Sequence, residues 1–343
     1  MRLTFTRVLF CTAVSLCGGS AAAYEPPASV LAQLRSAEDF SGAAMVATGA
    51  ERPFVYLAGA ARRGQPVLGQ TRFDIGSIGK MLTAVAVLQL VEQGKVALED
   101  PIGRHLPELP EPARAQSIAS VLRHEAGFGD VLSAPGSRTA LNNRDYYELV
   151  LHEPLGRPGA YAYSNSGYIV LGELIARLTG KTYEAYLQER VLGPSGMSGA
   201  VFVRADRSTD PAVAIGFVPA GGAHAEATSQ TGWMTSAAGG LYARAEDLAA
   251  FGRALLTERL ISRRSVDLMC PAPPPDAPMA YGLGCMVMQD GGFGHNGERP
   301  GTEALLLISR RADAVVVTLS NHDQQAEPVF WPLWEAVTAS SPE

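Results

Sequence analysis

The sequence predicts an α+β protein with strands gathered at its two ends and helices between them. Short apolar runs bounded by turn residues lie at 43–58 and again from 281 to 320, while between them apolar positions recur mostly at helical spacing. Three runs near the end, Tyr281 to Met288, Ala304 to Ser309 and Ala314 to Ser320, read as an antiparallel meander. Gln325 to Ala339, carrying Trp331 and Trp334, reads as a helix packed on that sheet.

In order along the chain, Arg2 and Arg7, the apolar run Val8 to Cys17 and Ala21-Ala22-Ala23 read as a secretory signal peptide cut after Ala23. That run is too short to span a bilayer, and no later run reaches the roughly 18 residues a membrane helix needs. The mature chain is therefore expected to be periplasmic or secreted. Leu16 before Cys17 argues against a lipid anchor, since a small residue normally precedes a lipidated cysteine.

Ala43 to Ala47 and Pro53 to Ala58 form a hairpin on this reading, and a helix carrying Ser77 ends at Gly94. Asp100-Pro101 begins a short turn and helix, and further helices are expected at 118–124, 145–151, 168–178, 183–191 and 246–256. Arg204 to Thr235, rich in Gly, Ala and Ser, reads mostly as loop, and Pro271 to Pro278 as a linker. No internal repeat is present.

Removal of the signal leaves 26 basic against 34 acidic residues, a balance of −8, which makes nucleic acid a poor partner. Cys270 and Cys285 remain in an oxidising compartment; one disulfide is compatible with that, and spacing alone does not decide it. The length suits one large domain, or one domain with an inserted lobe.

The chemistry centres on Phe73-Asp74-Ile75-Gly76-Ser77-Ile78-Gly79-Lys80. Asp74 can cap a helix whose first turn holds Ser77, and residues three apart on a helix are neighbours, so the Lys80 amine can reach the Ser77 hydroxyl. Met81 to Val91 is nearly all apolar, and burial disfavours a charged lysine, which would make Lys80 a base. The Ser77 N–H, without an intrahelical partner, can face an oxyanion. A phosphate loop fails on Asp74 and Met81, no G-x-S-x-G surrounds any serine, and Phe128 breaks a zinc-type H-E-x-x-H after His124-Glu125. No metal or cofactor is implied. Two further motifs are Tyr163-Ser164-Asn165 and His295-Asn296-Gly297, the latter between two expected strands. Taken alone, Tyr163 reads equally as a packed aromatic, Asn165 as a helix cap and His295 as a strand-end histidine.

With these three motifs in this order, joined by Ala238-Gly239-Gly240-Leu241-Tyr242, Tyr281-Gly282-Leu283-Gly284 and Gly294 to Gly297, the chain resembles the serine β-lactamase and penicillin-binding-protein superfamily. It is most similar to class C β-lactamase-like hydrolases, which include D-alanyl-D-alanine carboxypeptidases, D-aminopeptidases and esterases. The resemblance runs from about Ser41 to Val337. It implies an antiparallel β-sheet flanked by helices (24–75 and 279–343) with an inserted, mostly helical lobe (76–278), all one domain over 24–343.

The resemblance further implies Ser77 as nucleophile, Lys80 as its activating partner and Tyr163 as the base that also returns a proton to the leaving group. Asn165 would bind the acyl side of the substrate, and the N–H after Gly297, that of Glu298, would be the second oxyanion donor. His295 stands where true β-lactamases carry a lysine that helps bind the substrate carboxylate; a neutral imidazole there favours esters, amides or D-amino-acid peptides. Arg299 either neutralises Glu298, binds a substrate carboxylate or forms a solvated surface pair. His124-Glu125-Ala126-Gly127 departs from the His-Thr-Ser-Gly of relatives, a structural difference on this reading. The function implied is an exported serine hydrolase working through a Ser77 acyl-enzyme on a small-molecule or peptidoglycan-derived substrate. The alternatives are a β-lactamase proper and a non-catalytic module that binds peptidoglycan fragments or a protein partner. The sequence leaves the oligomeric state open.

Overall fold

A computed structural model describes residues 23–339 apart from 50, 134–136, 138–139, 203–209, 222 and 228–234. The expected signal segment at 1–22 lies outside the described residues.

Helix α1 (Ala28–Ser36) leads into the hairpin β1 (Gly42–Thr48) and β2 (Phe54–Ala58). The other strands of the main sheet come from the far end of the chain: β3 (Met279–Tyr281), β4 (Met286–Met288), β5 (Phe293–Arg299), β6 (Thr302–Ser309) and β7 (Ala314–Ser320). The seven strands run β3-β4-β5-β6-β7-β1-β2, antiparallel throughout, with β1 closing on β7 at Met45↔Val317.

Every residue of β6 and β7 is buried, which explains why their sequences are continuous apolar runs rather than alternations: both faces of the sheet are covered. On one face Val46, Leu307 and Val316 pack with Val30 and Leu34 of α1 and with Phe330, Leu333 and Trp334 of the C-terminal helix. That helix, spanning Glu327–Ala339, is the one the sequence placed there. On the other face Met45, Leu306, Ile308, Val315 and Val317 join the larger core.

The middle of the chain supplies α2 (Gly79–Glu92), α3 (Ile118–Leu122), α4 (Asn143–Val150), α5 (Asn165–Thr179), α6 (Tyr183–Leu187), α7 (Ala245–Leu256) and α8 (Arg263–Met269). Helix α2 is buried from Gly79 to Leu90, which accounts for its lack of a polar face. It contacts α5 and α6. Helix α7, though within the stretch expected for the helical lobe, packs on the sheet: a Cβ on Gly252 would come within 2.7 Å of the Val315 side chain.

Several expectations need correction. The run Tyr281 to Met288 is two strands, β3 and β4, because Gly284 turns the chain at φ +84°. His295-Asn296-Gly297 lies within β5, not between strands; its glycines hid the strand's alternation. The expected loop at 204–235 contains, among its described residues, the hairpin Phe217–Ala220 with Ala223–Glu226. Cys270 and Cys285 form a disulfide, with Cα atoms 6.2 Å apart. Among the described residues no helix is long and apolar enough to cross a membrane.

Candidate active site

The Ser77 turn is anchored before it is functional. Phe73–Asp74 pairs with Leu241–Ala243 and leads into a 3₁₀ turn, Gly76–Ile78, that runs directly into α2. Buried Asp74 accepts the Gly76 N–H and the Tyr242 hydroxyl, each at 3.0 Å, and pairs with the Arg299 guanidinium at 3.0 Å. With side chains 10% and 1% exposed, Arg299 and Asp74 form a buried pair. This corrects all three readings of Arg299: its guanidinium joins the end of β5 to the start of the Ser77 turn. Two glycines make the approach possible. A Cβ on Gly297 would sit 2.0 Å from the Ile75 carbonyl oxygen, and one on Gly76, already at φ +50°, would sit 2.9 Å from the Glu298 nitrogen. The Ser77 turn and the Glu298 N–H therefore meet backbone to backbone.

Lys80 lies one residue into α2 with no exposed surface. Its Nζ lies 3.1 Å from Ser77 Oγ, 2.7 Å from Asn165 Oδ1 and 3.0 Å from the Ala238 carbonyl, and stands over the Tyr163 ring at 4.8 Å from the centroid. The ammonium donates to all three, while the neutral amine keeps two N–H donors for Asn165 and Ala238 and turns its lone pair to the Ser77 hydroxyl. Burial pulls its pKa down to about 7; the Asp130 carboxylate pulls the other way, and Arg299 adds to the lowering. A lysine so placed is substantially an amine at neutral pH.

Tyr163 and Asn165 arrive together. The chain cap of α5 is Ser164, whose Oγ accepts the Gly167 N–H at 2.9 Å and donates to the Gly129 carbonyl at 2.7 Å. This leaves the Asn165 side chain for Lys80 on one end and, through Nδ2, for Asp130 Oδ1 (3.1 Å) on the other. Tyr163 remains 41% exposed, and desolvation holds its phenol above the ordinary value despite hydrogen bonding to Ser77. At neutral pH it is a proton donor, while Lys80 is the better acceptor.

His295 is 2% exposed. Its Nδ1 lies against the Asn296 carbonyl, which can only accept, so the proton sits on Nδ1 and Nε2 accepts from the Tyr281 hydroxyl at 3.0 Å. Burial, with the Lys80 charge nearby, depresses its pKa to about 3, and the ring is neutral. Exposed Glu298 accepts from Asn296 Nδ2 at 2.8 Å. The structure thus gathers Ser77, Lys80, Tyr163 and Asn165 around one amine, with Gly297 and the Glu298 nitrogen beside the Ser77 turn and His295 behind them. Asp130 and the Ala238 carbonyl were not singled out from sequence: neither contact has a local signal, since each reaches Lys80 or Asn165 across the fold. Among the described residues no group of His, Cys, Asp and Glu is gathered to hold a metal ion.

A family model described as Beta-lactamase matches residues 28–336. The chain belongs to the beta-lactamase family. Among family relatives, PbpX of Bacillus subtilis is 29% identical over 258 residues, 75% of this chain and 64% of that protein. Protein Rv1367c of Mycobacterium tuberculosis is 31% identical over 246 residues, 60% of each. The chain thus spans less than two thirds of the length of these curated relatives. Among solved structures, a penicillin-binding protein from Bacillus halodurans superposes with a TM-score of 0.78 at 25% identity, covering 88% of this chain and 97% of that one. The D-amino acid amidase from Ochrobactrum anthropi SV3 gives 0.77 at 23% identity over 91% and 100% of the two chains, a likeness that speaks to the fold. The antiparallel sheet with flanking helices expected from the motifs is the fold of this family of serine hydrolases.

Proposed function

We propose that this protein is an exported serine hydrolase, one domain over residues 24–343, that cleaves an ester, amide or D-amino-acid peptide bond through an acyl-enzyme on Ser77. The observation that carries the reading is the buried Lys80 amine, pKa near 7, 3.1 Å from Ser77 Oγ.

Ser77 Oγ attacks the substrate carbonyl carbon as its proton passes to the neutral Lys80 amine. The resulting oxyanion is held by the backbone N–H groups of Ser77 and Glu298, preorganised by the Gly76–Gly297 contact. The C–O or C–N bond then breaks, the leaving group takes the Tyr163 phenolic proton, and the Lys80 ammonium restores it. The pair titrates as one unit. Water attacks the acyl-enzyme by the same route in reverse. This assigns the first proton to Lys80, and leaving-group protonation to Tyr163. Asn165, held by Asp130, orients Lys80 and faces the acyl side of the substrate.

The neutral, buried His295 supports substrates without a carboxylate over a β-lactamase proper, and the amide-cleaving neighbour points the same way. A purely binding module has no use for a desolvated lysine on a serine, which costs stability without serving affinity. A fluorophosphonate or penicillin probe should label the wild type and not Ser77→Ala; equal labelling of both would refute the proposal. A panel of p-nitrophenyl esters, D-alanyl peptides, D-amino-acid amides and nitrocefin then ranks the substrates.

A further inference from the structure

His124 is built into the site in a way the reaction scheme has not yet used. It follows α3 at φ +61°, a left-handed conformation uncommon for residues with a side chain but one that histidine adopts more readily than most. The segment it begins receives the loop that carries Tyr163: the His124 carbonyl accepts the Ala162 N–H at 2.8 Å, and the Glu125 carbonyl accepts the Gly159 N–H at 2.8 Å. The side chain adds a third bond, because His124 Nδ1 accepts the Ser164 N–H at 3.0 Å. A backbone N–H can only donate, so Nδ1 is the bare nitrogen and the proton is on Nε2.

The ring, 2% exposed, fills the space between tyrosines. Its centroid lies 4.4 Å from Tyr163, 5.1 Å from Tyr168 and 4.7 Å from Tyr281, so it touches the proposed proton donor on one side and the first residues of the sheet's edge on the other. Tyr281 in turn donates to His295. Burial above all, with the Lys80 ammonium nearby adding to it, lowers the imidazole pKa to about 3 and keeps the ring neutral, which preserves the bare Nδ1. Tyr163 itself is 41% exposed. Of the rings around it, that of His124 is the nearest, at 4.4 Å against 6.4 Å for Tyr281 and His295, and His124 alone of these also bonds the residue that follows the tyrosine.

We propose that His124 is the positioning residue of the Tyr163 proton donor: by holding the Ser164 N–H and packing its ring, tilted by 34°, against the phenol ring, it sets the tyrosine for protonating the leaving group. This rests on the proposed function. It makes His124-Glu125-Ala126-Gly127 more than a structural segment, since a loss there should fall on one step of the reaction.

The test compares two esters with the same acyl group, p-nitrophenyl butyrate and ethyl butyrate, by kcat/KM, which reports acylation. The nitrophenolate leaves without a proton, while the ethoxide needs one. H124F keeps an aromatic ring but removes the acceptor; H124N keeps an acceptor near the Nδ1 position and tolerates positive φ. The expected result is a loss of about 10²-fold for H124F on ethyl butyrate, with a loss of less than about 10-fold on p-nitrophenyl butyrate, and for H124N, which keeps the bond but not the ring, a clearly smaller loss than H124F on ethyl butyrate. Should H124F fail to fold, H124Q, whose acceptor is displaced by one methylene, should show the same uneven loss. Equal losses on the two esters, or an H124N as impaired as H124F, overturn the inference and leave the Ser77 mechanism standing. A wild type whose Ser77 accepts no acyl group defeats the mechanism and this inference together.

Discussion

Around Ser77, the helical side carries the ionisable and hydrogen-bonding groups of the proposed reaction, whereas the sheet side offers a neutral imidazole, an ion pair to Asp74 and backbone. Ser77, Lys80 and Asn165 lie on or beside α2 and α5, and their bonds converge on one nitrogen. On β5, His295 faces Tyr281, Arg299 is tied to Asp74, and Gly297 has no side chain. The difference separates two tasks. On the proposed scheme, one side provides proton transfer through a desolvated lysine, and the other brings an N–H close to Ser77.

The sharpest way to break this division is at Lys80. Lys80→Ala should lower kcat/KM on the best ester by about 10³-fold or more, and Lys80→Arg should not restore it, because a guanidinium stays protonated. In the wild type, acylation should rise as pH increases through about 7 and level off above it, since the neutral amine is the acceptor. An acylation rate independent of pH between 5.5 and 8.5 would contradict the assignment.

Stability should also rise with pH, over a higher window than activity. The folded pKa of Lys80 lies below its unfolded value, so between about 7 and 10.5 the unfolded chain binds more protons and stability rises with pH; below about 7 the full penalty is present. That penalty is on the order of 5 kcal/mol, against which the hydrogen bonds to Asn165 and the Ala238 carbonyl are set. Lys80→Met is expected to be more stable than wild type by about 1–2 kcal/mol in urea unfolding at pH 7. A less stable variant would show that those bonds outweigh the desolvation.

On the sheet side the largest effect should come from Arg299→Ala, which leaves Asp74 charged, buried and short of its cation. A loss of about 3–5 kcal/mol in unfolding free energy is expected. A loss below about 1 kcal/mol would mean that the pair is solvated and does not join β5 to the Ser77 turn.

His295→Lys places an ammonium where burial already keeps an imidazole neutral. It should raise nitrocefin acylation relative to p-nitrophenyl butyrate by up to about tenfold, with some loss of stability. An unchanged ratio would remove His295 from substrate discrimination. The smallest effect is expected at Glu298, whose backbone rather than side chain serves the oxyanion. Glu298→Gln should change kcat/KM by no more than about threefold, upward, as a negative charge near the developing oxyanion is removed; a drop beyond tenfold would give the carboxylate a role of its own.

The same division governs what could be read from the chain. Ser77 and Lys80 are three residues apart, and helix geometry alone brings them together, so the helical side was legible. Short apolar runs bounded by turn residues also disclosed β1, β6 and β7, and the Trp-bearing run near the end disclosed the helix over 327–339. Strand β5 was not legible as a strand, because Gly294 and Gly297 answer to the close approach of Leu306 and Ile75 carbonyls rather than to the pleat. Asp130, the Ala238 carbonyl and His124 act through contacts made only after folding, and no spacing in the sequence encodes them. The Cys270–Cys285 bond lay between these cases, compatible with the composition and undecided by it.

The pairing of β1 with β7 sets a schedule on the chain. Met45 finds its neighbour Val317 only when nearly the whole polypeptide is present, and until then the hairpin β1–β2 has an open edge and an uncovered apolar face. Contacts of such long sequence separation are slow to form. The catalytic turn, whose ion pair needs Arg299, is likewise incomplete until late. Both the β1–β7 pairing and the Asp74–Arg299 contact therefore await the C-terminal part of the chain, and a chain released before β7 would leave the β1 edge unpaired.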